Sequence, residues 1–265
     1  MARWSYFYLI RIEFLGFRYH GWQKQPNYRS IQGMIDKTFA FIFQHNEFKT
    51  LGCSRTDAKV SANNFAFELF TLQVCNTEKL LSLLNENLPS DIRAKRIDEV
   101  NASFNIIQHS IEKEYHYYFS CGEKSHPFNA PLIRDFGHQL DIERMKEAAL
   151  LFKGKHNFKR YASKPQPNTV FEREILVSEI LTNERIKANF VPTASYIYRV
   201  KSKGFLRYQV RLMVGALVNV GRREWNLEQF KATLDNPEGL PIKHIAPSSG
   251  LVLNNVYFES DSNNR

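Results

Sequence analysis

Residues 6–14 read YFYLIRIEF, with Tyr6, Tyr8, Ile10, Ile12 and Phe14 alternating against Phe7, Leu9, Arg11 and Glu13. That is the period of a strand. Stretches with this period of two alternate along the chain with stretches of period 3.6, and the interleaving restricts the fold more than any other feature. After a Gly- and Pro-containing loop over 16–27, Ser30 can cap a helix carrying Ile31, Met34, Ile35, Phe39 and Ile42 at helical spacing. A strand is predicted over 62–70 (ANNFAFELF), then a helix near 77–88 with Leu80, Leu81, Leu84 and Leu88 on one side, then a strand over 92–100. The order is β-α-β-α-β.

The second half repeats the theme with insertions. A strand near 111–120 precedes a helix from Asp141, a good cap, to about Phe152. Strands are predicted near 171–182 and 194–201. A helix over about 205–220 carries Leu206, Val210, Met213, Val214 and Leu217 as its apolar stripe. A shorter helix follows Asn226, and a last strand covers 251–258. The stretch 162–168 (ASKPQPN) reads as an exposed loop. The fold class is therefore α+β, two successive halves of split-βαβ, ferredoxin-like or RRM-like character, over 1–104 and 105–265.

The chain of 265 residues has 36 Lys and Arg against 27 Asp and Glu, a formal net charge of +9, and 14% aromatic residues. That balance favours a polyanionic partner, and basic charge interleaved with aromatics favours nucleic acid. Cys53, Cys75 and Cys121 are odd in number and form no CxxC pair, so a reducing cytoplasm fits better than a disulfide framework. The eight histidines show no HExxH or paired Cys/His spacing, so no metal site is expected. The N-terminal stretch is broken by Arg11 and Glu13 and does not read as a signal peptide. The apolar run 212–218 is too short to span a bilayer.

Within residues 52–62, Gly-Cys-Ser-Arg-Thr-Asp-Ala-Lys-Val-Ser-Ala, the core Arg55-Thr56-Asp57 places a carboxylate two residues from a guanidinium at the mouth of a predicted strand. A carboxylate kept ionised by a nearby cation can act as a nucleophile or base, though Thr-Asp is also ordinary turn chemistry and Arg-x-Asp an ordinary surface pair. Tyr115, Tyr117 and Phe119 share one face of their strand. Tyr117 and Phe119 read as core, whereas Tyr115, at the entering end behind Lys113 and Glu114, could line a cleft and stack on a base. Arg211 lies beside the apolar stripe of its helix, where an Arg either snorkels to solvent or has a partner. Neither a P-loop nor a dinucleotide fingerprint is present, since Gly16 and Gly21 are followed by Trp22 and Gln23.

Seven segments carry a resemblance through their order along the chain: 19–25 (YHGWQKQ), 52–60, 87–92 (NLPSDI), 115–117 (YHY), 154–158 (GKHNF), 210–215 (VRLMVG) and 246–251 (APSSGL). In this set and order the sequence resembles the tRNA pseudouridine synthase A family, which isomerises uridine in transfer RNA. The resemblance implies two α+β halves whose antiparallel sheets join, a catalytic cleft between them, and a homodimer gripping tRNA across two subunits. It implies that Asp57 is the nucleophile, Arg211 its ionic partner, and Arg55 the residue that fills the gap left by the flipped base. Tyr115 would stack on that base and help the late proton transfer. The isomerisation needs no cofactor. Arg18, Lys24, Arg29 and Lys59 are the basic residues expected to bind substrate phosphates, with Lys159, Arg160, Lys164 and Arg207 further candidates. The anticodon arm is the expected target.

The sequence departs from the family pattern at Lys59, where Gly is common, at Ser61, where His is common, and at Asn105, Ile106 and Ile107, where a His-Ala-Arg run is common. Lys59 adds a charge and loses Gly's easy access to positive φ. Glu114 precedes Tyr115 where a basic residue is usual. Two other readings are a catalytically silent RNA-binding or RNA-folding protein on the same scaffold and an Asp-dependent hydrolase of a small substrate. The first gives no reason to keep Arg55, Asp57, Tyr115 and Arg211 together. The second leaves the net charge of +9 unexplained.

Overall fold

A computed structural model describes residues 4–137 and 139–259; residues 1–3 and 260–265, at the outer ends of the two expected halves, lie outside the described residues. The chain divides into two compact units, one formed up to Ile111 together with the chain from Leu253 onward, the other formed by Glu112–Val252. The described residues form five α-helices and ten strands, and the class is α+β. No helix among them is long and apolar enough to cross a membrane.

In the first unit, β1 (Tyr6–Phe14) is paired antiparallel on one side with β4 (Ile92–Val100) and on the other with β3 (Ser61–Thr71). The far edge of β3 is shared by β2 (Phe48–Gly52), opposite residues 67–71, and by β10 (Leu251–Phe258). The alternation in β1 decides which face is which. Tyr8, Ile10 and Ile12 stand opposite Leu69, Phe67 and Phe65, and all six are buried. Helices α1 (Ile31–Phe43) and α2 (Thr77–Asn87) belong to this unit, and Phe39 of α1 meets Phe67 edge-on. Ser30 and Asn76 cap these helices by accepting from the amides of Gly33 and Lys79.

The middle of the opposite face is buried too: Leu9 and Arg11 are covered, while Phe7 and Glu13 stay half-exposed. Arg11 donates to the Val256 carbonyl at 3.0 Å and lies over the Phe258 ring, which meets Phe104. Ile106 is fully buried, and its amide donates to the carboxyl of Glu68. Residues 104–106 thus cover the back of the first sheet, which is why the chain leaves this unit after Ile111 rather than after residue 104. The last strand from Leu253 also lies in the first unit, a return that two sequential halves do not contain.

The second unit orders its strands β5 (Ser110–Ser120), β9 (Ser195–Ser202), β8 (Glu172–Thr182) and β7 (Gly154–Asn157), all antiparallel, with the two-residue β6 (Arg134–Asp135) parallel to β5. Tyr117 and Phe119 are core, as their alternation predicts. The other face carries a cluster of Tyr118, Ile133, Ile197 and Val252. It also carries the buried Glu114 and His116 and the half-buried Arg199, with Glu114 accepting from the other two. The helices are α3 (Ile142–Leu151), capped by Asp141, α4 (Gln209–Gly221), and α5 (Leu227–Asp235), opened by a reciprocal capping box of Asn226 and Gln229. The short strands β2, β6 and β7 are absent from the sequence-based expectation because runs of two to five residues carry too few alternations to register.

Burial raises the Glu68 carboxyl to about 7, against the opposing pull of the Ile106 amide and the charge of Lys49. A raised carboxyl makes ionisation destabilising: the cost is absent below the ordinary value of 4.5, grows as pH rises through it and is complete above about 7. Glu68→Gln keeps an acceptor for the Ile106 amide. It is expected to match wild type at low pH and to exceed it by about 2–3 kcal/mol at alkaline pH, measured by urea unfolding at both pH values.

Candidate active site

Asp57 and Arg55 lie in the loop between β2 and β3, and this loop is held by a second loop, residues 15–22. The amide of Lys59 donates to the Tyr19 carbonyl at 2.9 Å, and the amide of Trp22 donates to the Thr56 carbonyl at 3.4 Å. Gly21, at φ +84°, passes so close that an added Cβ would stand 2.2 Å from the Thr56 carbonyl oxygen, so the contact requires glycine. Gly16 and Ser61 close the other end. The Gly16 amide donates to the buried Ser61 Oγ at 2.9 Å, and a Cβ on Gly16 would meet the Val60 carbonyl oxygen at 1.9 Å. Ser61, where a His ring is usual, therefore has a defined task in this chain.

The bracing loop is itself anchored on Asp91, which follows Pro89 and Ser90. Tyr19 donates its hydroxyl to Asp91 Oδ1 at 2.6 Å, and Arg18 donates to Oδ2 through both Nε and Nη2 at 3.0 and 2.7 Å. The Asp91 carbonyl accepts from Leu15 at 2.9 Å. Burial pushes the Asp91 carboxyl up, but the hydrogen bonds from Tyr19 and Arg18 outweigh it and hold it below the usual range; burial and the Asp91 charge push the Tyr19 phenol up to about 12. Three sequence segments, 15–22, 52–61 and 87–92, thus form one hydrogen-bonded unit. Arg55, at its tip, is exposed, and Asp57 is half-buried.

In the second unit α4 is apolar on all sides, and every one of its residues except Arg211 is buried. Arg211 Nε donates to the Ala246 carbonyl at 2.7 Å, and the Ala246 amide donates back to the Arg211 carbonyl at 3.0 Å. One turn on, a Cβ at Gly215 would stand 1.8 Å from the His244 carbonyl oxygen, so only glycine lets residues 244–246 lie against the helix. Tyr117 donates its hydroxyl to the Pro247 carbonyl at 2.8 Å, which ties the same segment to β5. The segments 115–117, 210–215 and 246–251 therefore assemble as one structure, as the first three do.

A family model described as tRNA pseudouridine synthase matches residues 148–259. Over nearly its whole length the chain is similar to curated relatives. With tRNA pseudouridine synthase A of Thermosipho melanesiensis it shares 34% identity over 261 residues, 95% of this chain and 99% of the relative. The chain belongs to the tRNA pseudouridine synthase A family. It is 31% identical over 252 residues to tRNA pseudouridine synthase A 2 of Bacillus cereus, covering 95% of this chain and 99% of the relative. It is 29% identical over 255 residues to tRNA pseudouridine synthase A 1 of Protochlamydia amoebophila, covering 96% and 97%. Members of this family are isomerases.

Within this synthase the four residues expected to carry chemistry lie two in each unit: Arg55 and Asp57 in the first, Tyr115 and Arg211 in the second. Tyr115 is half-buried and packs edge-on against Phe205, with ring centroids 5.3 Å apart. The turn before α4 adds a residue that sequence reasoning missed. The helix expected from about 205 begins only at Gln209, because Tyr208 takes a left-handed φ of +62°. That conformation sets the Tyr208 ring 4.7 Å from the Arg211 guanidinium carbon. A left-handed non-glycine residue of this kind is costly and tends to mark functional sites. Its only trace in the sequence is an aromatic just ahead of an apolar helix.

Arg18, Lys24, Arg29 and Lys59, the first four basic residues expected at phosphates, are exposed, but each also serves the protein; of the further candidates Lys159, Lys164 and Arg207 are exposed and Arg160 is half-buried. Arg18 is committed to Asp91, Lys24 reaches Asp36 at 3.4 Å, Arg29 lies over the Tyr19 ring, and Lys59 lies over the Phe17 ring. Trp22, which shares a loop with three of them, is not a platform for RNA: it is buried and stacks on Phe65, with centroids 4.4 Å apart.

Lys59 retains the turn that a glycine would form easily, at φ +67°. Lys59→Gly is expected to stabilise the protein by about 0.5–1 kcal/mol in urea unfolding, through relief of the left-handed strain. Asp91→Asn is expected to cost about 1–3 kcal/mol at pH 7. Because the Asp91 carboxyl is depressed in the folded state, its contribution is present above the ordinary carboxyl range and is lost as pH falls through the folded value. The gap between wild type and Asp91→Asn should accordingly close in acid unfolding curves.

Proposed function

We propose that this chain isomerises uridine to pseudouridine in tRNA, with Asp57 as nucleophile, and that it acts on the anticodon arm. The observation that carries this reading is the braced loop: Asp57 sits half-buried at a β2–β3 turn clamped by Tyr19, Gly21 and Ser61. A turn used only to reverse the chain needs no such support.

The target uridine must leave its stack before an enzyme can reach its glycosidic bond. In this reading Asp57 attacks the nucleotide and the bond from N1 to C1′ breaks, its electron pair leaving with the uracil. The ring turns, C5 forms the new bond to C1′ as the bond from Asp57 to the nucleotide breaks and its electron pair returns to the carboxylate, the C5 hydrogen leaves as a proton, and N1 takes up a proton. Nothing is oxidised or reduced, so no redox cofactor enters. Arg211 supplies positive charge to the nucleophile, Arg55 fills the space of the extruded base, and Tyr115 stacks on the uracil and assists the final proton transfer. Tyr208 and the Ala246 carbonyl hold the Arg211 guanidinium in one orientation.

Backbone contacts come from Arg18, Lys24, Arg29 and Lys59. A cavity of about 700 Å³ lined by Lys24, Tyr28, Arg29 and Lys37, with Asp36 as its one acid, supports the placement of Lys24 and Arg29. A homodimer that grips one tRNA across two subunits, working in the cytoplasm, belongs to the same reading.

Asp57→Asn removes the nucleophile and little volume. Pseudouridine formed in unmodified tRNA, read by nucleoside chromatography, should fall by at least roughly 10⁴-fold, while tRNA retention on filters and the melting curve stay unchanged. Measurable turnover by the variant would exclude Asp57 as the nucleophile.

A further inference from the structure

Positions 211, 215 and 219 of α4 and its C-cap, 222, fall on one stripe, since eleven residue steps make just over three turns. Residues 242–246 run along that stripe: Ala246 beside Arg211, His244 against Gly215 and Asn219, and Ile242 bonded through its amide to the Arg160 carbonyl at 2.9 Å. At the far end, roughly 16 Å from Arg211 at the helical rise, opens a cavity of about 560 Å³ walled by Arg160, Arg222, Trp225, Lys243 and His244.

Its charge is one-sided, with three cations against Glu224. Arg222 reaches that carboxylate only at 3.9 Å, and its Nε is buried without a hydrogen-bond partner among the described residues. A buried donor left without an acceptor is costly, so the Arg222 guanidinium, which lines the cavity, is not fully satisfied within the protein. Arg160 is fixed in place: Nε and Nη1 donate to the carbonyls of Leu240 and Ala232, and Gly239 passes where a Cβ would stand 2.9 Å from the guanidinium. His244 Nδ1 stands 3.0 Å from Asn219 Oδ1, which can only accept, so Nδ1 carries the hydrogen. Burial and the charge of Arg222 push the His244 pKa down, so the ring is neutral near pH 7 and Nε2 is an acceptor. Cations beside a neutral acceptor suit a ligand that offers anionic oxygens and a hydroxyl hydrogen together.

We propose that this cavity binds the ribose–phosphate backbone of the RNA several nucleotides from the target uridine, with the cations on phosphate oxygens, His244 accepting from a 2′-hydroxyl and Trp225 as the apolar wall. The inference rests on the RNA-modifying function proposed above. It places Arg211 and Arg222, each a cation, at the two ends of the α4 stripe that residues 242–246 cover.

The test is tRNA affinity of the full chain by filter binding between about 0.05 and 0.3 M KCl, for wild type, Lys243→Gln and Arg222→Gln/Lys243→Gln. The double variant should bind about tenfold more weakly or worse, and its log K against log salt should flatten by about 1–2, near one for each lost backbone contact. Unchanged affinity and slope in variants that melt like wild type would overturn the proposal. If the double variant does not fold, Lys243→Gln, altering an exposed residue, decides with a slope change of about one. Titration with inorganic phosphate provides the second arm: saturable binding in the cavity, with tRNA affinity untouched by the substitutions, would make it a small-anion site and refute the RNA assignment. These readouts do not use turnover. A wild type that binds tRNA through this cavity yet forms no pseudouridine would sink the catalytic reading and leave the cavity assignment standing.

Discussion

The carboxylate of Asp91 accepts three side-chain hydrogen bonds, one from Tyr19 and two from Arg18, and its own carbonyl accepts a fourth bond from Leu15. The loop from Leu15 to Trp22 has no sheet to order it, and a loop without a ladder must find partners for its backbone elsewhere. Asp91 provides the anchor. The loop then passes that order on: Tyr19 takes the amide of Lys59, Trp22 gives its amide to Thr56, and Gly21 lies against the Thr56 carbonyl. The position of Asp57 is therefore set from outside its own strands, by a residue 34 positions later in the chain. The arrangement suits a nucleophile, since displacement by a fraction of an ångström at a reacting atom is expensive in rate.

The second unit solves the same problem by different means. α4 is too apolar to have an ordinary solvent face, and the half-buried exception is Arg211. A guanidinium beside so much apolar surface needs oriented acceptors, which the Ala246 carbonyl and the Tyr208 ring supply. Glycine at 215 lets residues 244–246 come close enough to do so. Behind Tyr115, on the other face of β5, Glu114 accepts from His116 at 2.9 Å and from Arg199 at 3.1 Å. Burial raises its carboxyl, but those two partners outweigh it and bring it down to about 2. An acid in place of the usual basic residue is thus compensated within the strand pair and leaves the Tyr115 face unchanged.

Long elements were legible because their periods are sustained. β1, β4 and β10 end where the alternation ends, and the caps Ser30, Asp141 and Asn226 mark their helices. Shorter features were not. β2 is five residues long, and the burial of the second face of β1 depends on Ile106 and Phe258, far away in sequence. At the candidate site, the residues proposed for chemistry come from the sequence, and the contacts that support them come from the structure. Asp57, Arg55, Tyr115 and Arg211 stand out through charge or aromaticity in matched segments. The roles of Asp91, Ser61 and Tyr208 come from contacts or backbone angles that no local pattern encodes. Lys59 shows the limit well: a lysine in place of a glycine suggests a changed turn, yet the braced loop holds it at positive φ.

The central claim is that this chain breaks and remakes the glycosidic bond of uridine in tRNA. The most direct measurement uses unmodified tRNA carrying tritium at carbon 5 of its uridines and follows tritium release to water alongside pseudouridine formed. The account predicts one tritium released for each pseudouridine, because the new bond to C5 requires loss of its hydrogen. Saturated tRNA binding with no release would contradict it and leave a scaffold that holds RNA without chemistry.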